Sequence, residues 1–166
     1  MNSDFILRLR QWFEYEQDAH AKTISSLLDL PNEKKQTKEF QKAVDLYAHI
    51  IGARWLWLHR MGHAENMPDN LFPTDVNVEH LTDITDKMNA AWDNYFTNLN
   101  ETELNRTFEY SSTENLLYTN KVDEILTQLF GHSWYHRGQI AQIVRSLDGT
   151  PAETDFVYWT RSPETK

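Results

Sequence analysis

The sequence predicts an all-α protein built as a four-helix bundle. Two observations carry this: four long stretches repeat apolar residues at three- and four-residue intervals, and helix breakers are scarce, with five Gly and five Pro in 166 residues. Six Trp and an aromatic content of 13% supply bulk for the interior of such a bundle. Because a chain of about 150 residues buries roughly 70% of its unfolded surface, residues 1–166 are expected to form a single domain.

The first helix is expected from about Asp4 to Leu28, with Phe5, Leu9, Trp12, Ala19, Ile24 and Leu27 near one side and Pro31 beyond its end. The second begins after Thr37, a good N-cap residue, and runs to about Met61, where Gly62 can take the left-handed position that ends a helix. Phe40, Val44, Tyr47, Ile51, Trp55 and Leu58 form one face of it, and Leu46, Ile50, Ala53 and Trp57 widen that face. A helix apolar almost all round belongs at the centre of a bundle. The third, from about Val78 to Leu99, follows a loop containing Pro68 and Pro73 and repeats Leu81, Ile84, Met88, Trp92, Tyr95 and Leu99. Next, Arg106–Tyr110 and Asn115–Thr119 alternate as two short strands of a small β-hairpin between helices 3 and 4. The fourth helix opens at Asn120, carries Asp123 and Glu124 where the helix dipole favours negative charge, and closes at Gly149.

Charge and composition remove several classes of function. The 25 acidic and 16 basic side chains leave a formal charge of −9, which repels phosphate backbones and anionic lipid, and no run of Lys or Arg offsets it. No nucleic-acid or membrane partner is expected. Without cysteine there is no disulfide framework, thiolate metal site or Cys nucleophile. Met1 to Phe13 is interrupted by Asp4, Arg8 and Arg10 and lacks the apolar core of a signal peptide, so the chain reads as cytoplasmic.

The chemistry-bearing feature is a pair of histidines inside an apolar stripe. Val122, Ile125, Leu129, His132, His136, Ile140, Ile143 and Leu147 follow one another at helical spacing on the fourth helix. A buried ring nitrogen without a partner costs roughly 1–3 kcal/mol. Two readings fit: neutral rings hydrogen-bonded within the core, or two ligands converging on one metal ion from positions i and i+4. A metal site needs a third ligand from another helix, and His49, in the middle of the second helix but offset from its tightest apolar stripe, is the best candidate. Of the remaining histidines, His59 and His63 are separated by the helix end at Gly62 and are assigned to solvent, as are the single His20 and His80.

The residues between the pair, Ser133, Trp134 and Tyr135, include no glutamate, so this is not the HExxH arrangement of metalloproteases. Neither a phosphate-binding glycine loop nor a GxSxG nucleophile elbow occurs. Asp45, one turn before His49, could orient that ring but reads better as exposed helix charge. Arg137 and Gln139 are expected to point away from the histidine stripe, Arg137 into a surface or interhelical contact rather than towards an anionic substrate. Trp55, Trp57, Trp134 and Trp159 are expected in the core.

The stretch Gly131-His132-Ser133-Trp134-Tyr135-His136-Arg137-Gly138-Gln139 resembles the HxxxHRGQ signature of the DinB/YfiT-like proteins, metal-binding four-helix bundles. His49 followed by Trp57 and Leu58 is similar to the family's first-ligand helix, and Thr154-Asp155-Phe156-Val157-Tyr158-Trp159 resembles its C-terminal segment. This resemblance implies that His49, His132 and His136 hold one divalent metal ion, zinc, nickel or iron, in a cleft between helices. It implies a homodimer, and it implies chemistry on a small-molecule substrate with a low-molecular-weight thiol such as bacillithiol or mycothiol as cosubstrate. The expected function is therefore a metal-dependent transferase or hydrolase. The alternatives are a non-catalytic metal or small-ligand binding module and a purely structural bundle.

Overall fold

The computed structural model describes residues 2–162 as a helical bundle with one small hairpin. Four long helices form the bundle: α1 (Asn2–Leu28), α2 (Lys38–Arg60), α3 (Leu81–Asn98) and α5 (Val122–Ser146). Between α3 and α5 come the single turn α4 (Glu101–Leu104) and the strands β1 (Thr107–Ser111) and β2 (Leu117–Lys121), and α6 (Phe156–Thr160) follows α5. α2 packs along α5 and α3, and α1 closes the bundle against the other sides of α5 and α3. Leu9, Leu27, Val44, Ile50, Leu58, Met88, Trp92 and Leu126 meet in one fully covered core. None of the described helices is long and apolar enough to cross a membrane.

Local chemistry sets the helix ends. Thr37 caps α2 by accepting from the Phe40 amide at 3.2 Å. At the other end Gly62 adopts φ 88°, and its amide bonds to the His59 carbonyl while the His63 amide bonds to that of Leu58. This is a complete Schellman ending, and it turns the chain out of α2 where the sequence predicts. The end of α5 differs from expectation. Asp148, not Gly149, takes the left-handed conformation, with φ 63°, and the helix stops at Ser146. Gly149 sits at a close approach: a Cβ there would stand 2.5 Å from Leu30 Cδ2 and 3.1 Å from the Val144 carbonyl oxygen, so a side chain could enter only if its neighbours shifted.

The hairpin exists, but its strands lie later than the alternation suggests. Asn115 takes φ 59° in the turn, so the antiparallel ladder begins at Leu117, pairs Tyr110 with Tyr118, and runs on to Lys121. Asn120 is therefore a strand residue, and α5 opens at Val122 without an intervening loop. Glu124 marks that start by accepting from the Lys121 amide at 2.9 Å. The expected third helix divides into a short 3₁₀ turn at Val78–His80 and α3 proper, with Asn77 capping the turn through the Glu79 amide.

Candidate metal centre

α2 and α5 bring three imidazoles to one point. His132 and His136 stand one turn apart on α5, and His49 reaches them from the facing surface of α2. The Nε2 atoms of His49 and His132 are 3.2 Å apart, and those of His136 and His132 are 3.1 Å apart. Two nitrogens bound ~2.0–2.1 Å from one cation are separated by ~3.3 Å at a tetrahedral angle and ~2.9 Å at a right angle. The observed spacings lie between those limits, so the three side chains could hold one metal ion.

The far side of each ring fixes its tautomer. His49 Nδ1 lies 2.7 Å from the Leu71 carbonyl oxygen, which can only accept, so Nδ1 carries the hydrogen and Nε2 presents a lone pair. His136 Nδ1 donates to the Gln139 amide oxygen at 2.8 Å, leaving its Nε2 in the same state. Both lone pairs face His132 Nε2, which has at most one hydrogen to share between them. As a set of neutral rings the cluster leaves one lone pair opposed to another. As ligands of a cation, all three are satisfied. Protonation is suppressed too: burial, then the neighbouring His136, His49 and Arg54, push His132 down to about 4. Burial also lowers His49, against the Leu71 hydrogen bond that raises it.

The loop after α2, residues 61–77, completes the surroundings of His49. Phe72 stacks on its ring with centroids 4.6 Å apart and planes 11° from parallel, although Phe72 itself is largely exposed. Asp45 does not touch His49. Its carboxylate accepts from the amides of Val76 at 3.0 Å and Asp75 at 3.3 Å, and Gln41 bridges Asp45 to the Val76 carbonyl. Asp45 thus anchors the loop that carries Leu71 and Phe72.

Behind the histidines, a buried charge cluster joins three helices. Glu16 on α1 accepts from Arg54 of α2 at 2.6 Å, from Arg137 of α5 at 2.7 Å, and from Trp134 Nε1 at 3.1 Å. Arg54 also reaches Ser133 Oγ, and Arg137 reaches the Tyr15 hydroxyl. Burial alone would raise the Glu16 carboxyl, but Arg137 and Arg54, assisted by His20, hold it down at about 2. Because Ser133, Trp134 and Arg137 alternate with His132 and His136, this cluster fixes the rotation of the α5 segment that presents the two ligands.

A cleft opens beside the cluster. Its inner hollow, about 410 Å³, is lined by His49, His132, Trp57, Phe72 and Tyr110 among others, and by no carboxylate among the described residues. An outer hollow of about 590 Å³ adjoins it through Leu56, Arg60, Leu71 and Tyr110.

Of the sequence-derived candidates, His49, His132 and His136 are brought together. His59 and His63 diverge, His59 facing the Ala64 carbonyl and the exposed His63 facing Glu103. His80 is exposed. His20 overturns its expectation of exposure: it is fully buried between Glu16 and the edge of Tyr47. Gln139 does not point away from the stripe but holds His136. Arg137 makes an interhelical contact, bound to Glu16. The tryptophans divide: Trp55 and Trp57 pack half-buried against the core and Trp57 lines the cleft, Trp159 is half-buried against Tyr15, and Trp134 is exposed, contrary to expectation. Glu16 and Arg54 escaped the sequence reading, though each interrupts an apolar stripe as the histidines do.

Comparison with known proteins agrees with this picture. A family model described as DinB family matches residues 1–165. A solved DinB-like protein from Bacillus cereus ATCC 10987 superposes with a TM-score of 0.69, covering 87% of this chain and 94% of that one at 18% identity, which shows a shared fold. No curated protein matches the chain.

Proposed function

This chain belongs to the DinB family, and from that premise we propose that it is a metal-dependent enzyme acting on a small molecule, in which His49, His132 and His136 hold one divalent cation. The observation that carries the reading is the convergence of three Nε2 atoms, two of them forced to present lone pairs, at the inner end of a cleft. Zinc, nickel and iron all suit three imidazole nitrogens. Such a cation lowers the pKa of a bound water to ~7 in the case of zinc, and deprotonates a bound thiol outright.

The lining of the cleft favours thiol chemistry over hydrolysis. Hydrolysis is helped by a carboxylate that takes a proton from water, and no Asp or Glu among the described residues lines the inner hollow. A thiol needs less assistance, and its supplier must be a cosubstrate because the chain has no cysteine. Leu71 and Gln139 then keep two imidazoles in the ligating tautomer, and Phe72 and Trp57 give that end of the cleft apolar walls.

The test has two stages. Protein purified without chelator should contain about one equivalent of transition metal by mass spectrometry, and His132→Ala should lose it. Metal-loaded protein offered a panel of low-molecular-weight thiols and electrophiles should turn over at least one pair, and His136→Ala should not. Stoichiometric metal without any histidine-dependent turnover would instead support a binding module.

A further inference from the structure

Arg60 occupies an unusual position for a cation in a chain of net charge −9. It stands where the inner and outer hollows join, and among the described residues it is the sole Lys or Arg lining either. Its guanidinium packs against an edge-to-face pair of aromatic rings, 4.8 Å from the Trp57 centroid and 4.9 Å from that of Tyr110. One Nη2 hydrogen goes to the Ser111 carbonyl at 2.7 Å. Among the described residues no carboxylate forms an ion pair with it; burial, opposed by Tyr110, lowers its pKa. Asp69 and Glu109 line only the outer hollow, so among the described residues the wall between Arg60 and the histidines carries no negative charge.

The hairpin builds this arrangement. Tyr110 and Ser111 are β1 residues, and the Tyr110 hydroxyl is fixed by Asn120 of β2 at 2.8 Å. Trp57 and Tyr110 lie to the same side of the guanidinium, their centroids 4.8 Å apart, and its remaining donors can bind a carboxylate by paired hydrogen bonds. His49, Ala53, Leu56, Trp57 and Arg60 line the cleft from successive turns of one face of α2. His49 and Arg60 are therefore about 16 Å apart along the helix axis.

We propose that the cleft takes an elongated small molecule with a metal-binding head and a carboxylate tail, the head at the three histidines and the tail on Arg60. Arg60 is then the residue that sets charge specificity, and the hairpin is the element that positions it. The inference rests on the metal-site reading above and deepens it by naming the class of ligand.

Cobalt(II)-loaded protein allows a test in which thiolate-to-cobalt charge-transfer absorption reports binding directly. Titration with ω-mercaptoalkanoates of increasing length, beside the matching ω-mercapto alcohols, should reveal a length at which the acid binds about tenfold more tightly than the alcohol, as expected for a charge-assisted hydrogen-bonded pair. Arg60→Gln should abolish that preference without changing the affinity of the alcohols, and Arg60→Lys should retain part of it. Equal binding of acid and alcohol at every length by the unaltered protein would overturn the proposal, whatever the variants do. If no thiol yields a charge-transfer band, the thiol reading fails and a second titration decides the matter for Arg60. In it, α,ω-dicarboxylates are added to zinc-loaded protein in a calorimeter: heats that weaken in Arg60→Gln sustain the carboxylate site, and heats that are absent or unchanged overturn it.

Discussion

The Nδ1 hydrogen of His49 ends on the carbonyl oxygen of Leu71, 2.7 Å away, so a residue of the central helix takes its ligating form from a loop twenty-two positions later. That loop is held in turn by Asp45, one helical turn before His49, through the amides of Asp75 and Val76. Asp45 therefore influences the histidine without touching it. α2 supplies both the ligand and the anchor for the loop that orients the ligand.

Asp45→Ala should release the loop while leaving the bundle intact, since its contacts lie at the surface. Partners that orient a metal-bound histidine typically contribute 10–100-fold to metal affinity, and Asp45 acts one step further out, so a loss of about tenfold is expected. Competition with a chromophoric chelator measures it. An unchanged affinity would mean that the packing of Phe72 on His49 is sufficient to hold Leu71 in place.

Gln139 offers a test with opposite signs. Gln139→Leu removes the acceptor for His136 Nδ1 and should weaken metal binding by about tenfold, whereas Gln139→Glu puts a carboxylate in the same place and should strengthen it by raising the basicity of the ring. The same chelator competition, run on both variants, reads the two directions. A loss in both would show that steric fit rather than hydrogen-bond polarity governs the position.

The bundle was legible because periodicity reports which face of a helix is buried, and the capping signals at Thr37 and Gly62 act through local geometry. The histidine pair was legible for the same reason, as an exception inside a periodic series. Gln139 was open to the same logic, standing three residues beyond His136, where helix side chains are neighbours. So were Glu16 and Arg54, charges at stripe positions of α1 and α2. Leu71 was not: its role belongs to a backbone carbonyl in an aperiodic loop, and no side-chain pattern announces a carbonyl. The strand limits slipped because alternation does not show where a turn ends, and Asn115 in the left-handed region delays the ladder.

Glu16 is expected to be the most destabilising single position in the charge cluster. Glu16→Ala leaves Arg54 and Arg137 buried side by side without a counter-charge, and breaking a buried pair in this way costs about 3–5 kcal/mol. Urea unfolding at neutral pH should show a midpoint far below that of the unaltered protein. A triple replacement of Glu16, Arg54 and Arg137 by Met should recover much of the loss, because it also removes the uncompensated charges. A Glu16→Ala variant as stable as the parent would show that water reaches the two guanidinium groups.

His20 gives the fold a specific sensitivity to acid. Both ring nitrogens are buried without a hydrogen-bond partner, and although Glu16 Oε2 lies 3.6 Å from Nε2, the ring stays neutral. Burial outweighs the attraction of Glu16, and Arg54 and Arg137 add to the depression, lowering the imidazole to about 3. In the unfolded chain it titrates near ~6.5. Between those values the unfolded state binds a proton that the folded state refuses, so stability falls as pH drops below ~6.5 and the loss is complete only near the folded value. At pH 5 the loss from this residue amounts to ~2 kcal/mol, since each pH unit is worth about 1.4 kcal/mol. His49 and His132 slope in the same direction, so metal-free protein is compared with metal-free His20→Leu. The two should differ little at pH 8, and by pH 5 the variant should be favoured by roughly that amount; above pH 5 the buried Glu16 does not yet contribute. Parallel stability curves from pH 8 to 5 would mean that His20 takes up a proton in the folded state, with Glu16 as its partner.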